Sequence, residues 1–330
     1  MPRLLRLHLP LVLVLYLSSF ALHADPVPTD RALREGRVGD AASTLKPWLA
    51  QHPSDADAHL LLCRSFYAQD MADSAVSECE LAAANAPASS EAQLWLGRAF
   101  GMKASSANPV LAFSLARKVR DAFERALRLD GANIPAMSDL GEFYVSAPAI
   151  VGGGSGKARA LAAKLHTLNQ PVAEAQSHRI LAMLAEKEDD LATAEAEFRR
   201  AASGDLPSAW IDLGAFYARR HASDQAAAAI RKGVAFDHTH GATLVDAASV
   251  LTEADRDPDL ARQLLRDYLA SPAKSDAAPA FKVHLQLGDL LARSGDLASA
   301  RKEYALALAL APSFPPAQRS AGGPEQSRSR

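Results

Sequence analysis

Residues 210–217 read Trp210-Ile211-Asp212-Leu213-Gly214-Ala215-Phe216-Tyr217, and Ala226 follows twelve residues beyond the glycine. Trp210, Leu213 and Tyr217 share one face of a helix, with a glycine set between them. Two antiparallel helices approach closely only where a contact residue is no larger than Ala or Ser; large residues then fill the gaps beside it. Gly214 and Ala226 therefore predict a notch on each of two neighbouring helices. The same spelling returns as Leu287, Gly288, Leu291, Ala300, Tyr304, Ala307 and Pro312, with Gly295-Asp296 supplying the turn. One pair cannot bury its apolar face alone, so the pattern requires stacked neighbours.

Aligned on the small residue of the first helix, the chain yields Cys63, Gly97, Gly141, Ala182, Gly214, Ala248 and Gly288, at intervals of 34, 44, 41, 32, 34 and 40 residues. Ala41, Leu45, Trp48 and Pro53 precede them as the second helix of a half unit. Pro53 and Pro87 are again 34 apart, each placed to stop a second helix. In spacing as well as composition, residues 30–314 resemble the tetratricopeptide repeat superfamily. The resemblance implies an all-α fold, a right-handed superhelical solenoid of antiparallel helix pairs whose first helices line a concave wall. About seven units plus the amino-terminal half unit would occupy residues 25–314. Close helix packing then falls to Gly97, Gly141, Ala182, Gly214, Ala226, Ala248, Gly288, Ala300 and Ala307. No segment alternates Val, Ile and Thr with period two, so no sheet is predicted.

Departures from 34 locate insertions. They fall at 102–108, at 146–154, and either at 255–258 or at 271–278. From residue 315 to 330, Pro, Gly, Ser and Arg dominate, which predicts a disordered tail.

Composition limits the rest. With 36 Lys and Arg against 38 Asp and Glu among 330 residues, the net charge of −2 gives no drive towards nucleic acid. Two Cys cannot build a disulfide-rich scaffold. Residues 1–24 carry Arg3 and Arg6, an apolar stretch from Leu7 to Leu17, and small residues at Ser18, Ser19, Ala21 and Ala24. That order predicts a secretory signal peptide and a periplasmic or secreted protein. The apolar stretch is shorter than the roughly 20 residues that span a bilayer, which disfavours an uncleaved anchor. No integral membrane segment is expected after cleavage.

Catalytic motifs are incomplete. Gly152-Gly153-Gly154-Ser155-Gly156-Lys157-Ala158 suggests a phosphate loop, but Val151 stands in place of its first glycine and Ala158 in place of the metal-holding Ser or Thr. A flexible loop is the plainer expectation. His238-Thr239-His240 with Asp237 and Asp246 offers metal-type ligands, yet it sits where a solvated turn between units belongs. No metal, cofactor or enzymatic activity is predicted. Cys63 and Cys79 face one hairpin interior; an oxidising compartment permits a disulfide, while free buried thiols would serve equally as small packing residues.

The concave wall is left as the candidate site for a protein or peptide partner. In the repeat register it comprises Asp57, Leu60, Arg64, Tyr67, Glu91, Leu94, Arg98, Glu142, Arg179, Met183, Glu186 and Ile211. Arg64 and Arg98 occupy equivalent positions one unit apart, suited to successive carboxylates or backbone carbonyls. The Asn-rich carboxylate clamp of some members of the superfamily is missing here. The leading expectation is a noncatalytic exported adaptor, with a structural subunit docking through its convex face as the alternative.

Overall fold

The structure is a computed structural model and describes residues 26–321. Residues 1–24, expected from the sequence to be a signal peptide, therefore lie outside the described residues. Helices follow one another without interruption by strands among those residues: α1 (Pro26–Arg34), α2 (Val38–Gln51), α3 (Ala56–Ala68), α4 (Ala72–Asn85), α5 (Ser90–Ser105), α6 (Pro109–Leu129), α7 (Ile134–Ser146), α8 (Ser155–His166) and α9 (Pro171–Lys187). They continue with α10 (Leu191–Ala201), α11 (Pro207–Arg219), α12 (Ser223–Phe236), α13 (Thr243–Glu253), α14 (Pro258–Ala270), α15 (Ala280–Arg293), α16 (Leu297–Leu310) and α17 (Pro315–Ala321). Successive odd and even helices form hairpins that stack into an all-α, tetratricopeptide-like solenoid.

Local chemistry sets the boundaries. Asp55, Ser89, Asn108, Asn133, Asp190 and Asp296 cap helices through side chains that accept a backbone N–H from the first turn. Pro109, Pro171, Pro207 and Pro258 open helices, where their missing N–H leaves no bond unmade. Five of the hairpin turns are closed by one left-handed residue. Asp70, Asp189, His221, Asp255 and Gly295 supply it, each seven residues beyond the small residue of its unit.

The glycines lie at helix contacts. A Cβ on Gly97 would come within 2.4 Å of the Phe123 ring, on Gly214 within 2.7 Å of Ile230, and on Gly288 within 2.4 Å of Tyr304, in each case on the second helix of the same hairpin. Gly141 instead meets Ile180 of the following first helix, at 2.2 Å. Ala182, Ala226, Ala248, Ala300 and Ala307 are all buried. Cys63 and Cys79 are joined by a disulfide between α3 and α4, with a Cα–Cα distance of 5.2 Å.

Three expectations need correcting. The half unit has its first helix, α1, so eight hairpins are described. The insertion at 102–108 is mostly absorbed into a longer α5 and a 21-residue α6, because the surplus residues continue the helical pattern. The chain past residue 314 does not fray at once: Phe314 packs edge-on against Phe281, Pro315 opens α17, and Ala317 is buried. Of the two places weighed for the last insertion, the connection between α14 and α15 is the longer, nine residues at 271–279 against four at 254–257.

The two ends of the solenoid meet. Phe281, Ala307, Ala311, Phe314 and Ala317 belong to the same buried cluster as Leu33, Val38 and Leu45. Gly36, at φ +75°, approaches so closely that a Cβ would lie 2.6 Å from the Ala280 backbone nitrogen. Lys282 donates to Asp70 at 2.7 Å and Arg64 to Asp276 at 2.8 Å. The first and last hairpins therefore touch, and the first helices surround an inner wall.

Candidate partner-binding groove

Side chains of consecutive first helices are tied to one another across the inner wall. Arg98 of α5 donates to Asp139 of α7 at 2.7 Å. Arg179 of α9 donates to Glu142 of α7 at 3.1 Å and lies 3.6 Å from Asp212 of α11. Arg219 of α11 grips Glu186 of α9 with two hydrogen bonds, at 3.0 and 2.9 Å. Further round, Gln286 of α15 donates to Ser249 of α13 at 2.9 Å. Between α7, α9 and α11 this girdle opens into a cleft of about 400 Å³ lined by Glu142, Arg179, Met183, Glu186, Lys187, Asp212, Ala215 and Arg219.

The cleft shifts the ionisation of its groups. Burial pushes the Asp212 carboxyl up to about 6; Arg179 opposes the shift and the nearby Asp246 carboxylate adds to it. Burial also works against the Arg179 charge, but Asp212 and Glu142 outweigh it and hold the guanidinium's pKa above its usual value. A carboxyl whose native pKa exceeds its unfolded value of 3.8 is protonated more readily in the fold, so its contribution to stability declines as pH rises from about 4 to about 6. Asp212→Asn is accordingly expected to raise the melting temperature by a few degrees at pH 7.5 and to change it little at pH 4. Its side chain is 32% exposed, which keeps the effect modest. Scanning fluorimetry at the two pH values checks this, and a stabilisation equal at both would contradict it.

The expected groove residues separate into three groups. Arg179, Met183, Glu142 and Glu186 converge on the cleft. Leu60, Leu94 and Ile211 are buried instead. Leu60 packs with Ala82, Ala83 and Ala92, and Ile211 fills the notch at Gly233, so both turn into contacts between helices, whereas Arg179, at the same register position three residues before Ala182, faces the cleft. The wall is lined in their place by residues two before the small residue, Trp95, Asp139, Asp212 and Asp246. These stand at i,i+3 from Arg98, Glu142, Ala215 and Ser249, and that spacing is the signal that would have found them.

Asp57 and Glu91 are exposed, while Tyr67 is half-buried and meets Trp95 edge-on at 5.5 Å between ring centres. Arg64 and Arg98 both stack on Trp95, at 5.4 and 4.8 Å. They are not bridged chiefly to Asp57 and Glu91: their strongest partners are Asp276 and Asp139.

The other motifs have local roles in the structure. The amides of Gly152, Gly153 and Gly154 donate to the carbonyls of Ala149, Pro148 and Tyr144, and Lys157 turns back to donate to the Gly152 carbonyl at 3.0 Å. Donors engaged in this way do not form an open phosphate cradle. Asp237 accepts the amides of Thr239 and His240 and the Thr239 hydroxyl, which makes 237–240 a hydrogen-bonded turn. Among the described residues no group of three metal-type ligands converges, and no helix is long and apolar enough to cross a membrane.

Residues 32–99 match a family model described as Tetratricopeptide repeat. Among solved structures the chain is similar to yeast Tom70, with 15% identity and a TM-score of 0.53, covering 88% of this chain. The chain spans 58% of the Tom70 chain. A second similar structure is TTC0263, a thermophilic TPR protein in Thermus thermophilus, at 17% identity and a TM-score of 0.39, covering 73% of this chain and 99% of that one. No curated protein matches the chain. At such identities the likeness concerns the fold alone, and that fold is a tetratricopeptide-like helical solenoid.

Proposed function

We propose that this chain is an exported, noncatalytic adaptor that holds a protein or peptide against the inner wall of its solenoid, in envelope assembly or secretion. The observation that carries the reading is the cleft between α7, α9 and α11, where Arg179, Arg219 and Lys187 alternate with Glu142, Glu186 and Asp212 around the thioether of Met183. Such a wall offers hydrogen-bond partners for either sign of side chain and for a peptide backbone, with an adaptable apolar centre. Export is supported by the order of residues 1–24 and by the disulfide between Cys63 and Cys79, a bond that persists in oxidising compartments.

A photo-crosslinking residue at Ala215, expressed in the native envelope, is expected to capture a discrete protein partner identifiable by mass spectrometry. The same residue at Arg128, on the outer helix α6, serves as the control. Capture from the outer position alone would favour the second reading, a structural subunit that docks through its convex face. Exposed apolar side chains on second helices, Leu81, Val110 and Leu306, speak for that alternative.

A further inference from the structure

Arg64 leaves the inner wall of α3 with three carboxylates around it. Asp276 lies 2.8 Å from its Nε, and Asp30 and Glu91 stand 3.8 and 3.9 Å from Nη1. Asp30 and Glu91 come from the neighbouring first helices, as the girdle elsewhere would lead one to expect. Asp276 does not. It arrives from 212 residues away, on the connection 271–279, which has no helix and is the longest between described helices. Both members of this pair are largely withdrawn from water, at 15% and 14% side-chain exposure.

The surroundings of Arg64 have the chemistry of a recognition site. Arg64 and Arg98 stack on one indole, that of Trp95, and Tyr67 abuts the same ring. Two guanidinium forks held by an aromatic plane keep their orientation at little entropic cost and suit carboxylates on an extended chain. An irregular peptide segment with its carboxylate on Arg64 is already seated there, and it is part of the protein itself.

We propose that the Arg64–Trp95–Arg98 face docks an acidic peptide segment of the partner, and that Asp276 occupies the face in the free protein as a stand-in for it. The inference rests on the inner-wall reading above and names the partner's chemistry. A tethered competitor acts at an effective concentration in the millimolar range, so an external acidic segment binds weakly until the tethered carboxylate is removed.

The test uses the full mature chain, a fluorescein-labelled decamer of glutamate and a lysine decamer as control. By fluorescence anisotropy at physiological salt, Asp276→Asn is expected to bind the glutamate decamer at least about tenfold more tightly than the unaltered protein. Arg64→Ala in that background should abolish the gain, and an unlabelled nonapeptide of residues 271–279 should compete. Hydrogen–deuterium exchange on the unaltered protein supplies a readout independent of any variant. Millimolar glutamate decamer should expose the amides of 273–278 while protecting α3 and α5.

No affinity gain in a folded Asp276→Asn protein overturns the proposal, as does an equal gain for the lysine decamer or an exchange pattern unmoved by the glutamate decamer. The inner-wall reading fails separately. Crosslinks from Ala215 without any gain in Asp276→Asn overturn the stand-in alone, whereas a gain without such crosslinks overturns only the cleft as the holding site.

Discussion

Gly141→Leu is expected to lower stability by about 2–3 kcal/mol, even though leucine favours helix over glycine by nearly 1 kcal/mol. The overpacking outweighs the propensity because the site is occupied: a Cβ on Gly141 would lie 2.2 Å from Cδ1 and 2.7 Å from Cγ1 of Ile180, which is fully buried at the contact between α7 and α9. A single methyl group could be met by rotation of the isoleucine tip. The three further carbons of leucine cannot be met that way, and the two first helices must part. Gly156→Ala in α8 is the control, since nothing lies within 4 Å of the added carbon and only the propensity gain remains. Urea unfolding followed by circular dichroism should separate the two by a clear shift in midpoint. Equal midpoints would mean that the small residues are not the contacts between hairpins.

Reduction of the Cys63–Cys79 bridge is the other large effect. The bond closes a loop with a sequence separation of 16 residues, for which chain-entropy reasoning gives about 3 kcal/mol. The thiols left behind fit as small packing residues, so the loss arises mainly from the greater freedom of the unfolded chain. Cys63→Ala together with Cys79→Ala should melt at the lower midpoint of the reduced protein and ignore reductant. Because both sulfurs are buried, reduction has to be carried out on the unfolded chain before refolding. An unaltered midpoint after such treatment would show that the bridge contributes nothing.

The hairpins were legible because one local requirement, a small residue where helices touch, repeats with a fixed offset to the turn. The same register holds more than was read from it. His59, His178 and His284 sit four residues before Cys63, Ala182 and Gly288, and each bonds a glutamate 19 residues on: Glu78, Glu197 and Glu303, all at 2.6 Å. A polar pair recurring at that separation is a sequence-level sign of a hairpin. The enlarged turn between α7 and α8 fits the same logic, since Pro148 stands seven past Gly141 and no left-handed residue lies there.

The groove was read less well. Arg64 and Leu60 look equally suited to a wall when only the helical period is known, and which of the two turns inward depends on where the neighbouring hairpin lies. Asp276 was beyond reach altogether. Its meeting with Arg64 depends on the small rotation between hairpins accumulated along the solenoid, and no single stretch of sequence records that sum.

The contact between the two ends has a consequence for how the protein comes apart. An open array of repeats loses its terminal units first, because each has a neighbour on one side only. Here Phe281 and Phe314 share a buried cluster with Leu33 and Val38, and the Gly36 turn abuts Ala280, so the terminal hairpins also touch each other. That contact is expected to hold the terminal hairpins longer than in an open array, and excision of any one hairpin would remove it as well as shorten the stack.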